Sequence, residues 1–90
     1  MISVDGEEGA REIANDSPYG LTACIWTHSL TRAHSLADRL EYGMVMVNET
    51  PNTWPQTSFG GVKQSGHGRQ QGEEASEIYT GTKNVQLNLG

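Results

Sequence analysis

Between Leu21 and Val47 the chain runs apolar, then periodic, then apolar again, and that order leaves few ways to fold. Leu21-Thr22-Ala23-Cys24-Ile25-Trp26 is short, follows Gly20 and is rich in β-forming residues, which predicts a strand. Ser29 is a suitable N-cap for what comes next. Leu30, Ala33, Leu36, Ala37 and Leu40 recur at helical spacing and make a single apolar face. Gly43 stands where a left-handed residue would stop that helix. Met44-Val45-Met46-Val47 follows at once, a continuous apolar run expected of a strand buried on both faces. A strand–helix–strand unit this short is expected to pair its strands in parallel, with a right-handed crossover. The expected fold class is α/β.

The flanks are less regular. Asp5 and Glu8 fit a capping box that opens a helix reaching about Ala14, with Ala10, Ile13 and Ala14 as its buried stripe. Asn15 is expected to end it in the left-handed conformation, and Asp16-Ser17-Pro18 reads as a turn. From Asn48 to Gly72 periodicity is lost, and Pro51, Pro55, Gly60, Gly61, Gly66, Gly68 and Gly72 fall in this stretch. So long an irregular segment is uncommon in a compact domain unless it has a function. A further helix is expected from about Gln71 to Tyr79, burying Ala75 and Ile78. Thr82 to Leu89 alternates, with Val85, Leu87 and Leu89 on one face, and predicts a half-buried strand. It has no hairpin mate in the chain, so its partner is expected elsewhere.

Charge and composition narrow the function. Six basic residues against eleven acidic ones give a net charge of −5, which argues against a nucleic-acid partner. No apolar run approaches the roughly 18 residues that span a bilayer, so no membrane partner is expected. Met1 to Asp5 has neither the basic nor the apolar region of a signal peptide. The single cysteine, Cys24, cannot form an internal disulfide, and a reducing, cytoplasmic setting is expected. Cys24 falls mid-strand, where a small apolar filler is expected; a nucleophilic thiol would need a nearby cation or helix N-terminus. His28, His34 and His67 lack the spacing of a transition-metal site. Glu73, Glu74 and Glu77 read as a solvated helix start. The glycine-rich stretch around Lys63 does not fit the spacing of a P-loop.

Two segments carry a family resemblance. Asn15-Asp16-Ser17-Pro18-Tyr19-Gly20-Leu21-Thr22-Ala23 resembles the N-D-[TS]-x-Y-G-L-x-A segment of NAD(P)-dependent aldehyde dehydrogenases. Phe59-Gly60-Gly61-Val62-Lys63-Gln64-Ser65-Gly66-His67-Gly68-Arg69 resembles that family's F-G-G-x-K-x-S-G-x-G-R segment, and Gly43 to Asn48 its G-x-V-x-V-N. The resemblance implies a C-terminal fragment of the aldehyde dehydrogenase catalytic domain: a βαβ unit, a long Gly-rich loop and a helix over residues 1–81. Residues 82–90 would be an oligomerisation strand.

In that family a cysteine thiolate attacks the aldehyde, hydride passes to NAD(P)⁺, and water releases the acid from the thioester. The cysteine, a glutamate base and an E-x-F-G-P cofactor segment lie upstream of the matched part and have no counterpart here. The resemblance therefore implies no catalytic and no cofactor-binding residue in this chain. NAD or NADP is expected in the complete enzyme and is not expected to bind the ninety residues alone, which should be inactive. By resemblance Phe59 lies on the wall of the aldehyde tunnel, and Asn48, Thr53 and Trp54 are candidate substrate contacts. Lys63 and Gly66 match positions whose main-chain carbonyls hold a monovalent cation in some members.

The chain departs from the pattern twice. Ser58 replaces the usual proline before F-G-G, and Gln70 stands where many members have a glutamate thought to relay protons. A glutamine cannot exchange a proton near neutral pH. The expected partners are the remainder of the enzyme or further subunits, and a small aldehyde. The competing reading is a non-catalytic module that docks on full-length aldehyde dehydrogenase subunits.

Overall fold

A computed structural model describes every residue from Met1 to Gly90. Its elements are α1 (Gly6–Asn15), β1 (Tyr19–Gly20), β2 (Thr22–Ile25), α2 (Leu30–Arg39), β3 (Met44–Val47), β4 (Val62–Lys63) and a 3-10 helix (Glu73–Tyr79). The expected strand–helix–strand unit is present. β2 and β3 pair in parallel, with Thr22 opposite Met44 and Ile25 opposite Val47. Ser29 caps α2 as its sequence position predicts, its Oγ accepting from the Arg32 amide at 3.2 Å.

The core is four side chains: Ile25 from β2, Ala33 and Leu36 from α2, and Met46 from β3. Each comes from the apolar pattern of the βαβ unit, but the pattern is only half covered. Leu30 and Val47 are exposed, as are Trp26 (67%) and Cys24 beside the core strand. β3 is thus not enclosed on both faces, and Cys24 is not the buried filler its mid-strand position predicts. One helix cannot shield both faces of a two-stranded sheet. The stripe on α1 is likewise open, with Ile13 44% exposed and no residue of the helix buried. No helix is long and apolar enough to cross a membrane.

Several expectations fail for identifiable reasons. The capping box does not form: Asp5 occupies the N-cap without a side-chain bond. Glu8 turns instead to two guanidinium groups, accepting from Arg11 Nε and Arg39 Nη2, each at 2.7 Å. A carboxylate paired with two cations gains more than one bonded to a single neutral amide. Asn15 is not left-handed. It remains helical, and its side chain bridges to the end of α2 and the turn beyond it, donating to Arg39 O and accepting from the Glu41 amide, both at 2.9 Å.

Gly43 does not cap α2, which ends at Leu40 in extended conformation. Its hydrogen sits against another backbone, since a Cβ there would lie 1.8 Å from the Gly60 carbonyl oxygen. The 48–72 stretch is not wholly irregular, because β4 pairs antiparallel with β1, Tyr19 opposite Lys63. The helix expected from Gln71 is a 3-10 turn that leaves Ile78 half exposed. Residues 82–89, whose strand mate is expected outside the chain, pair with nothing within it, and Val85, Leu87 and Leu89 stand open to solvent.

Candidate functional site

The long loop leaves β3 through Asn48, which takes a left-handed backbone (φ 57). The Asn48 amide donates to Ile25 O at 2.7 Å and so prolongs the parallel ladder. Its side chain extends the ladder once more: Oδ1 accepts from Thr27 N and Nδ2 donates to Thr27 O, both at 2.9 Å. The carboxamide copies a peptide unit. Asparagine is among the few residues that adopt this backbone readily. Asn48 thus fixes where the loop departs, and both polar ends of its side chain are engaged with Thr27.

The far end of the loop is tied to β1. The Gly20 amide donates to Ser65 Oγ at 2.7 Å, and the Gln64 amide to Pro18 O at 2.8 Å. Lys63 (φ 54) sends its ammonium to Asn15 O at 3.0 Å, Ser17 O at 3.3 Å and the Glu41 carboxylate at 2.7 Å. Asn15 O, which also accepts from the Ser17 amide at 2.9 Å, is one of the last carbonyls of α1, so this cation sits at the negative pole of the helix.

The middle of the loop folds on itself. Phe59 and Gln70 exchange amide and carbonyl at 2.7 Å in both directions. The Arg69 Nη1 donates to Gly60 O at 2.6 Å, and the Gly72 amide to Pro55 O at 2.8 Å. Gly60 and Gly61 allow these approaches: a Cβ on Gly60 would lie 2.7 Å from Gly68 O, and one on Gly61 2.5 Å from the Ser65 side chain. The result is a shallow pocket of about 180 Å³ whose wall includes Leu21, Phe59, Ser65, His67, Arg69 and Ile78.

The sequence-predicted residues do not all meet there. Phe59 lines the pocket. Asn48 lines a separate hollow of about 400 Å³ with Trp26, Thr27 and His28. Thr53 and Trp54 (60% exposed) stand on the loop surface and line neither. Lys63 and Gly66 both have positive φ, 54 and 117. Gln70 is held by its backbone to Phe59 and its residue is exposed. No group of three or more His, Cys, Asp or Glu could hold a metal ion.

Sequence reasoning missed two residues. Arg69 was legible as a lone cation among glycines, which needs an acceptor. Gln71 was not, and its left-handed backbone (φ 58) emerges only in the folded chain. The one perturbed titration lies outside the loop: Arg11 first, then Arg39, hold Glu8 below the usual carboxylate value.

The profile of the aldehyde dehydrogenase family matches residues 1–85. 2-Hydroxymuconic semialdehyde dehydrogenase of Pseudomonas sp. strain CF600 is 49% identical over 94% of this chain and 18% of its own length. The NADP/NAD-dependent aldehyde dehydrogenase PuuC of Escherichia coli K12 is 45% identical over 92% of this chain and 17% of its own. Among solved structures, indole-3-acetaldehyde dehydrogenase of P. syringae, in complex with NAD⁺ and IAA, superposes with a TM-score of 0.86. It is 43% identical, covering 96% of this chain and 17% of that one. Aldehyde dehydrogenase KauB of Pseudomonas aeruginosa gives a TM-score of 0.87 at 44% identity, over 91% and 17%. The chain spans about 18% of the length of the curated relatives it matches. On sequence and fold alike, it belongs to the aldehyde dehydrogenase family of oxidoreductases.

Proposed function

We propose that these ninety residues are the C-terminal portion of an enzyme that oxidises an aldehyde to a carboxylic acid with NAD(P)⁺. In this reading residues 1–81 complete the catalytic domain and residues 82–90 are an oligomerisation strand. The observation that carries it is the glycine-tied loop that sets Phe59 in a pocket wall, within a chain whose own core is only four side chains. Such a segment makes physical sense as one side of a larger site. The exposed β2 and β3 residues and the tail then meet the remainder of the enzyme or further subunits. Phe59 supplies an apolar wall, Thr53 and Trp54 face the aldehyde, and Asn48 anchors the start of the loop that carries them. Lys63 and Gly66 would offer main-chain carbonyls to a monovalent cation. The single thiol suits a cytoplasmic protein.

The residues here do not fit the dinucleotide. Its pyrophosphate needs a glycine turn between strand and helix, and the β2–α2 turn reads Trp26-Thr27-His28-Ser29, with no glycine. The cofactor, the nucleophile and the base would be supplied from outside these ninety residues. Cys24 is not offered as the nucleophile, because it lies on the sheet, away from the pocket-lining residues.

The test is a fusion in which these residues replace the matching segment of the Pseudomonas 2-hydroxymuconic semialdehyde dehydrogenase. Aldehyde-dependent NADH formation is expected from the folded fusion and none from the ninety residues alone. A cooperatively melting fusion with no turnover on any aldehyde would overturn the reading. So would turnover by the chain alone that survives Cys24→Ser.

A further inference from the structure

Asp5-Gly6 is the one Asp-Gly pair in the chain, and no asparagine precedes a glycine. Such a pair can close on itself, the glycine amide nitrogen attacking the aspartate side-chain carbon to form a cyclic imide. Most residues shield that nitrogen with their own side chain, and Gly6 has none. Its φ is 76, and nothing lies within 4 Å of where a Cβ would stand.

The fold leaves both reacting groups idle. Asp5 occupies the N-cap of α1 without a side-chain bond, is exposed, and takes no part in the ion pairs, whose acids are Glu8 and Glu41. The Gly6 amide is among those at the helix start that no helical carbonyl can reach, and no cap or loop bond uses it. One obstacle remains. Asp5 has ψ 108, which turns the Gly6 nitrogen away from the Asp5 side chain, so its Cα–C bond must rotate before the ring closes. That rotation breaks the first helical bond, which the N-cap carbonyl accepts. The turn that holds it is Gly6-Glu7-Glu8-Gly9, with glycine twice. Glycine is the weakest helix former after proline. Glu8 is tied to Arg39 of α2, so the helix beyond stays in place while its first residues fray.

We infer that Asp5-Gly6 is a self-modification site, isomerising to a β-aspartyl linkage at a rate set by opening of the first turn of α1. The Gly6 nitrogen gives up its proton and bonds the side-chain carbon of the Asp5 carboxylic acid, whose hydroxyl leaves with that proton as water. Water then opens the ring on either side. Attack at the side-chain carbonyl restores aspartate. Attack at the main-chain carbonyl leaves the chain running through the side-chain carbon, one methylene longer, with a carboxylate on Cα. The water lost is regained, so no other reactant is needed. The longer main chain changes how the residues before α1 enter the helix.

For the experiment, the fusion enzyme and a synthetic peptide of residues 2–11 are held at neutral pH and sampled over weeks. β-Aspartyl is counted by methyl transfer from S-adenosylmethionine with a β-aspartyl-specific carboxyl methyltransferase, and located by peptide mapping. Isomerisation at Asp5 is expected about fivefold slower in the fusion than in the peptide, the population cost of one exposed hydrogen bond. It should exceed that at Asp16 and Asp38, which precede Ser17 and Arg39. Gly9→Ala firms the first turn without collision, its Cβ meeting Val4 Cβ at 3.6 Å. It should slow the reaction about fivefold more. Gly6→Pro removes the attacking N–H at a position that suits proline, and should abolish the product. No excess of β-aspartyl at Asp5 over Asp16 and Asp38, or a rate that Gly9→Ala leaves unchanged in a cooperatively melting fusion, overturns the inference. Neither readout uses turnover, so the aldehyde reading stands or falls separately.

Discussion

Replacing Gly43 with alanine tests how the fold holds the loop against the βαβ unit. An added Cβ would sit 1.8 Å from Gly60 O and 2.9 Å from Gly61 Cα. Ordinary contact begins near 3.4 Å, so the two backbones must part by more than an ångström. The atoms met are main chain and cannot swing aside as a side chain would. Two hydrogen bonds lie in the path of that movement, Gly43 N to Gly20 O at 2.9 Å and Met44 N to Leu21 O at 3.0 Å. Overpacking of this kind costs about 1–3 kcal/mol, and each weakened hydrogen bond about 1 kcal/mol. A total of about 3 kcal/mol corresponds to roughly hundredfold more frequent local opening.

Amide hydrogen exchange by mass spectrometry on the fusion enzyme reads that opening directly, in peptides covering Leu40 to Val47. Gly66→Ala is the control. Gly66 has φ 117 but open space where the Cβ would go, so it carries backbone strain of about 1–2 kcal/mol and no collision. Its effect should be below about thirtyfold and confined to its own loop. Equal effects of the two substitutions, or unchanged exchange in Gly43→Ala, would refute the argument that close approach, and not backbone conformation, requires this glycine.

Three further outcomes are expected. Asn48→Ala loses both bonds to Thr27 and places an unfavourable residue at φ 57, so thermal denaturation should show about 2–3 kcal/mol of destabilisation; Asn48→Gly should recover the backbone part. Glu8 is depressed in the folded chain, so its ion pairs with Arg11 and Arg39 contribute above the ordinary value of 4.5 and are lost as pH falls through the lower folded value. Between 4.5 and that lower value, an acid titration of the melting temperature should therefore drop less steeply in Glu8→Gln than in the parent chain. Lys63→Met removes the Glu41 pair and the contacts to Asn15 O and Ser17 O. Because the groups are partly exposed, a loss of about 1 kcal/mol is expected in a denaturant titration, reduced at high salt.

The parts of the fold legible in the sequence are those whose causes are local. The α2 stripe, the Ser29 cap and the two apolar runs each act over a few residues, and β2–α2–β3 forms as they dictate. What escaped depends on chain far away. Gly43 looks like a helix terminator until Gly60 is placed against it. Asp5 and Glu8 look like a capping box until Arg39 arrives from α2. β1 and β4 are two residues each, too short for any periodicity. Of the candidate site, the resemblance gave the positions of Phe59, Thr53 and Trp54, but not the ties by Arg69 and Gly72 that set the loop's shape. Burial was overestimated throughout, because an apolar pattern tells which face seeks cover and not which molecule supplies it.

The carboxamide of Asn48 standing in for a peptide group has a consequence for variation in this part of the molecule. It finishes the ladder with a side chain, so the scaffold is complete before the irregular stretch begins. The ten residues between there and the first aromatic of the glycine segment are freed from any duty to hold the sheet. They can drift in size and polarity while the ground beneath them stays still.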